Sequence, residues 1–200
     1  MNEFYKEMDG IYRLRVPFEA IYTSVFLIKT DERTILVDCA TTVVDVDEVI
    51  SPALRALRYA WNDLDMLVLT HSHGDHAGGL ARVLELAPSI AVITDVRALD
   101  KGIETYPMAG HTADSIGVLD TRTHTLISGD GLQGAGVDKY RCYTKHPVSY
   151  LETVERVKND KRIENILFSH AYEPWNSDRA LGRQEVVACL SACKIYGKGE

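Results

Sequence analysis

The sequence has no long apolar run, no cysteine pair at metal-finger spacing and no excess of basic residues. No stretch approaches the roughly 18 apolar residues that span a bilayer, so a membrane helix is not expected. The opening residues, Met1-Asn2-Glu3-Phe4-Tyr5-Lys6-Glu7, contain neither a basic start nor an apolar core, so no secretory signal is expected and the cytoplasm is the expected location. The four cysteines, Cys39, Cys142, Cys189 and Cys193, form no CxxC pair, which argues against a cysteine-held zinc. Cys189 and Cys193 are four apart and should neighbour each other on one helix as buried thiols in a reducing setting. The net charge is −7, and the basic clusters Lys139–Lys145 and Lys158–Arg162 are short and diluted. A nucleic-acid partner, whose phosphates reward a basic face, is therefore not expected. No internal repeat, linker or low-complexity segment is present. What remains is ordinary globular composition, 46% hydrophobic and 26% charged, in 200 residues. This suits one domain over residues 1–200 with a real apolar core.

Along the chain, Ile11–Val16, Ser24–Lys29 and Thr34–Asp38 read as an antiparallel meander. Val46–Ala60 has apolar residues at helical steps, and Pro52, with Ser51 as N-cap, suits a first helical turn better than an interior. Met66–Leu69 is a short buried strand, so strand, helix and strand form a crossover that fits parallel pairing. Gly78–Ala87 reads as a helix and Ile90–Thr94 as a strand. Val96–Met108 has no clear period. Ile116–Asp120 and Thr125–Ser128 read as a hairpin around Thr121–His124, with His124 on its exposed turn. Pro147–Val157 is helical, Ile163–Phe168 is a core strand, and Ser177–Tyr196 closes the chain as an amphipathic helix. Helix-strand alternation combined with hairpins indicates an α/β (α+β) class.

The densest chemistry is Thr70-His71-Ser72-His73-Gly74-Asp75-His76-Ala77-Gly78-Gly79, directly after the strand Met66–Leu69. In extended chain, His71, His73 and Asp75 share one side and Ser72 faces the other, while His76 opens the next helix. Imidazole and carboxylate are ligands for zinc and non-haem iron, and packing such groups together without a cation is costly. Four in one loop exceed what one tetrahedral ion needs there, which hints at two ions. His111 in Gly110-His111-Thr112, Asp130 in Gly129-Asp130-Gly131 and His170 in Ser169-His170 each follow a strand-like run or a glycine. Asp38 ends the buried run Ile35–Val37, as an outer support for the metal loop or as a strand-end cap. Tyr140 and Tyr143, in the loop after Asp130, and Tyr172, after His170, are candidate substrate contacts. His146, before Pro147, reads as a helix-flanking residue.

In order and spacing, His71-x-His73-x-Asp75-His76, Gly110-His111-Thr112, Gly129-Asp130 and Ser169-His170 resemble the metallo-β-lactamase superfamily, and within it the glyoxalase II-like branch. The likeness runs from about Ile11 to His170. It implies the four-layer αβ/βα sandwich, and two divalent ions, zinc first with iron or manganese as alternatives. His71, His73 and His111 would hold one ion, Asp75, His76 and His170 the other, and Asp130 would bridge them at a separation of about 3.5–4 Å. A hydroxide between the ions would attack a carbonyl carbon, with Asp75 as the catalytic proton carrier. Ala113-Asp114 stands where the family often has Pro-Gly, and the interval from His76 to His111 is short for the family, which points to an open site or one completed by another element or subunit.

The implied activity is hydrolysis of a small thioester, ester or lactone. The short sequence after His170 favours the reaction class over glutathione specificity. The expected partner is a small-molecule substrate, with neither nucleic acid nor membrane, and a homodimer is left open. The alternatives are a mononuclear iron persulfide dioxygenase, with His71, His111 and Asp130 as ligands, a metal-dependent phosphodiesterase, and a non-catalytic binding domain that kept the fold.

Overall fold

The computed structural model describes residues 3–132, 144–171 and 177–193. Contacts divide the chain into two units, Met1–Thr94 and Asp95–Glu200, each built on a six-stranded sheet.

In the first unit, β1 (Tyr5–Met8), β2 (Ile11–Phe18), β3 (Ile21–Lys29), β4 (Thr34–Val37), β5 (Met66–Val68) and β6 (Ala91–Ile93) lie side by side in chain order. Tight turns make β1 to β4 an antiparallel meander. The crossovers that follow make β4, β5 and β6 parallel, as the strand-helix-strand pattern predicts. β1, Tyr-Lys-Glu-Met, is a half-buried edge strand without the apolar run that would mark it in sequence.

The first crossover differs from expectation. Helix begins at α1 (Val43–Asp45), capped by Thr42 and Asp45 in a reciprocal box, passes through a π-helical turn at Val46–Ile50 and ends with α2 (Ser51–Ala56). Thr42, not Ser51, is therefore the cap, and the helix stops short of Ala60. Pro52 has no N–H to donate, and the wider π turn before it absorbs the mismatch. The Ser51 hydroxyl donates to the Val46 carbonyl (2.8 Å) and accepts from the Trp61 indole (2.8 Å). The second crossover contains α3 (Gly74–Ala77) and α4 (Leu80–Leu86). Leu14, Leu27, Leu36 and Leu67 on one sheet face pack with Ile50, Leu54 and Val83 of these helices. Burying each such side chain contributes about 1.5–3 kcal/mol. The other face holds Ile28, Ile35 and Val68, also fully buried. It also holds Arg13, whose Nε lies 2.8 Å from the Glu7 carboxylate and whose guanidinium covers the Phe26 ring at 4.8 Å.

In the second unit, β7 (Ala98–Asp100), β8 (Ile103–Pro107), β9 (Ile116–Asp120), β10 (Thr125–Ile127), β11 (Asn165–Leu167) and β12 (Arg179–Leu181) form a sheet in the order β12-β11-β10-β9-β8-β7. The stretch 96–108, without a period in sequence, is the hairpin β7–β8. β8, β9 and β10 are antiparallel in turn, and β11 pairs parallel to β10. β8, β10 and β11 therefore run the same way. α5 (Pro147–Asn159) matches its predicted start, with His146 at its N-cap. The closing segment is not one helix. β12 comes first, Gly182 turns at φ 82°, and only then does α6 (Arg183–Ser191) begin. Val154 and Val157 of α5 and Val186 and Leu190 of α6 pack on Leu119, Leu126 and Ile166. Cys189 and Cys193 are half-buried neighbours, the Cys193 thiol reaching the Cys189 carbonyl (3.6 Å). His124 sits on the exposed hairpin turn at φ 54°. Among the described residues, no helix is long and apolar enough to cross a membrane.

Candidate metal-binding residues

In parallel pairs the carboxyl ends of neighbouring strands open onto one rim, where α/β sheets present their functional side chains. Val37 pairs with Val68, so Asp38 and the segment Thr70–His76 leave the sheet together. Asp38 takes φ 62°, a left-handed conformation that an aspartate tolerates better than most residues. Its carboxylate there accepts three bonds, from the Thr70 N–H (2.8 Å), the Thr70 hydroxyl (2.9 Å) and His76 Nδ1 (2.7 Å). Because the Thr70 hydroxyl donates to Asp38, its oxygen is left to accept from His71 Nδ1 (3.1 Å). One buried carboxylate thus fixes the tautomers of two histidines, one directly and one through Thr70. With Nδ1 as the donor, Nε2 is the nitrogen that carries the lone pair in each neutral ring, the usual arrangement behind metal-ligating imidazoles.

The His71 ring meets His73 edge-on at 4.7 Å and His76 at 4.3 Å. His71 and His76 are buried and His73 partly so, whereas Ser72 is exposed. The alternation argument reaches only as far as His73. Asp75 lies on α3 beside His76, Oδ2 to Nε2 3.3 Å, with its side chain 15% exposed. The glycines after the motif let this helix come close. A Cβ on Gly78 would stand 1.9 Å from the Thr41 carbonyl oxygen, and one on Gly79 2.3 Å from that of Cys39. The Cys39 N–H donates to the His76 carbonyl (2.8 Å). Burial, followed by the nearby Asp38 charge, pushes the Cys39 thiol up to about 12.

In the second unit, His111, Asp130 and His170 follow the carboxyl ends of β8, β10 and β11, the three strands of common direction. His111 sits in a loop closed by Thr112, whose hydroxyl bonds Asp114 (2.8 Å) and Ser115 (2.7 Å). Asp114 closes this loop by hydrogen bonding where the family's glycine would turn it. The His146 N–H donates to the Gly110 carbonyl (2.9 Å), so His146 anchors the loop through its backbone. Asp130 lies in a 3-10 turn, Gly129–Gly131, with Gly129 at φ 55°. Asp130 Oδ1 is 3.2 Å from His170 Nε2, and Oδ2 is 3.7 Å from His111 Nε2. All three are buried. The longer distance exceeds a hydrogen bond, and two buried imidazoles facing one buried carboxylate suit a cation between them.

His71, His73, Asp75 and His76, and in the other unit His111, Asp130 and His170, are donor groups that could hold a metal ion, and their N and O chemistry fits zinc, iron or manganese. Asp38 was legible as one of two readings. Thr70 carries no sequence signal beyond its place between a strand and the first histidine. Tyr140, Tyr143 and Tyr172 lie outside the described residues.

Residues 19–93 match the family model described as Metallo-beta-lactamase superfamily. Over that stretch the chain is similar to the metallo-β-lactamase superfamily. It is 26% identical to "Beta-lactamase-like protein 2 homolog" of Caenorhabditis elegans, over 72% of this chain and 54% of that protein. It is 29% identical to "Hydroxyacylglutathione hydrolase" of Pseudomonas savastanoi pv. phaseolicola, over 64% and 60%. The chain thus spans a little over half the length of these curated relatives. A metallo-β-lactamase from Erythrobacter litoralis, solved with β-mercaptoethanol in its active site, superposes with TM-score 0.69 at 19% identity, over 94% of both chains. That likeness shows the metallo-β-lactamase fold.

Proposed function

We propose that the two units work as one domain and form a two-ion hydrolase of small acyl substrates, with a thioester as first choice and an ester or lactone as second. The observation that carries this reading is Asp130, whose two oxygens face two different buried histidines. A carboxylate so placed suits a bridging role. His71, His73 and His111 would hold one ion, and Asp75, His76 and His170 the other. When bound, the ions supply a water that ionises near neutral pH and an electrophilic contact for a carbonyl oxygen.

The chain's own residues do the rest. Asp38 and Thr70 hold the His71 and His76 rings so that Nε2 carries the lone pair. Asp75, the least buried of the acidic groups here, takes up a proton at its carboxylate and returns it to the leaving group. No side-chain nucleophile is required, and Ser72 points to solvent. The hydroxyacylglutathione hydrolase relative supports the thioester choice. The acidic balance supports a small-molecule substrate over a nucleic acid.

The test is metal content per chain, together with hydrolysis of a hydroxyacyl-glutathione thioester, an aryl thioester, an aryl ester and a lactone. About two zinc ions per chain and turnover of a thioester are expected. One iron per chain with oxygen uptake on a persulfide would replace the hydrolase by the dioxygenase, and turnover of a bis-aryl phosphate alone would replace it by the phosphodiesterase.

A further inference from the structure

We propose that the first unit carries a binding site for a small organic anion with a flat ring, at the end of the sheet away from His71–His76. A cavity of about 590 Å³ opens there, lined by Tyr12, Lys29, Leu57, Arg58, Tyr59 and Asp63 among others. This is within the size range of small-ligand sites. Lys29 ends β3 and the cavity reaches Thr34, where β4 begins, whereas Asp38 and Thr70 follow the opposite ends of β4 and β5.

The backbone at Arg58 is the first indication of use. α2 ends with the Arg58 N–H donating to Arg55 (2.9 Å) and the Tyr59 N–H donating back to Leu54 (2.9 Å). This is a helix ending that calls for a left-handed residue, normally glycine. Arg58 takes that place at φ 65°. A strained non-glycine residue held where glycine would be free of strain motivates a functional reading of its side chain.

The chemistry of the wall is the second indication. The Lys29 ammonium stands 5.9 Å from the Tyr59 ring centre, so a cation and an aromatic face lie together. Asp63 is committed to the backbone, its Oδ2 accepting the Ala60 N–H (2.7 Å). Two cations beside one tied carboxylate make this wall locally positive on a chain of net charge −7. A planar guanidinium and an ammonium match a phosphate or carboxylate head, and the tyrosine rings and Leu57 match a flat ring.

The experiment is calorimetric titration of the full chain with phenylphosphonate and with benzoate, which share the ring and differ in the head. Methylphosphonate and benzyl alcohol isolate head and ring. Binding of a ring-bearing anion at least tenfold tighter than either isolated part is expected. Arg58→Gly and Lys29→Gln should each weaken it at least tenfold, and Asp130→Asn should leave it unchanged. Arg58→Gly should also keep its melting temperature or gain about 2–4 °C, since glycine relieves the backbone. That separates lost binding from lost folding. Equal affinity in Arg58→Gly and Lys29→Gln, loss of binding in Asp130→Asn, methylphosphonate binding as well as phenylphosphonate, or no binding of either ring-bearing anion at millimolar concentration would each overturn the proposal.

Discussion

His76 Nδ1 lies 2.7 Å from Asp38 Oδ2, and the same oxygen accepts the Thr70 hydroxyl that receives His71 Nδ1. Two rings are therefore oriented by one side chain that need not touch a metal. Asp38→Asn keeps the shape but puts an N–H₂ or a weaker acceptor where two donors converge. Metal affinity is expected to fall about 10–100-fold, the usual cost of losing such an outer carboxylate. Competition with a chromophoric chelator measures it, and an unchanged affinity would show that the rings are held by other means.

Asp130 is the position at which one substitution should disturb both ions. Asp130→Ala removes the oxygens facing His111 and His170 together. The expected result is loss of one ion or of both per chain, with hydrolysis down by about 100-fold or more, at least the upper range for supporting groups. Elemental analysis on the same preparation used for the assay links the two losses. Full metal content in the variant would contradict a bridging role.

The candidate metal motif is legible in sequence because donor types crowd a few residues after a buried strand, and because the later candidates follow strand ends. Strand alternation predicts an extended segment through Asp75, but Gly74 begins a helix, which brings Asp75 beside His76 instead. β1 and β12 were missed for a shared reason. Both are short edge strands, β1 with no fully buried residue and β12 with only Ala180 buried, so neither has an apolar run to mark it. The true start of the first crossover helix was hidden behind Pro52, since the π turn that accommodates proline leaves no trace in apolar periodicity. Thr70 was invisible for a different reason: its role depends on a partner 32 positions away.

The close approach at Gly78 yields a stability prediction. A methyl group there would meet two backbone oxygens, Thr41 at 1.9 Å and Gly74 at 2.4 Å, and backbone cannot rotate aside as a side chain can. Gly78→Ala should cost about 1–3 kcal/mol, the usual range for overpacking, or more. Thermal unfolding of metal-stripped protein isolates this effect from ligand loss, and a melting temperature within error of the parent would mean that the loop after Asp38 yields easily.

Glu7 and Arg13 form the buried charge pair of the first sheet, at 2.8 Å with both side chains essentially inaccessible. Removing one charge leaves the other buried and uncompensated, so Glu7→Ala should destabilise by about 3–5 kcal/mol. Replacing both, as Glu7→Leu with Arg13→Met, should recover much of that loss, because apolar groups of similar volume suit the fully buried surroundings of Phe26 and Ile28. Urea unfolding of the two variants decides the matter: a double variant as weak as the single one would mean that the pair specifies this sheet's register.

The thiols set an alkaline limit. Burial raises Cys39 and Cys193 from an ordinary value of 9.0 to about 12. The folded state therefore favours the protonated thiol. Below pH 9 both folded and unfolded chains hold the proton and stability is intact. Between pH 9 and 12 the unfolded chain releases it first, so stability falls as pH rises. The melting temperature should drop across that window, and less steeply in a Cys39→Ala, Cys193→Ala variant. At pH 8 both thiols should resist iodoacetamide in the folded protein and react once it is unfolded, as peptide mapping by mass spectrometry would read. Rapid labelling of Cys39 under native conditions would mean that the loop between β4 and α1 opens, and with it the support beneath His76.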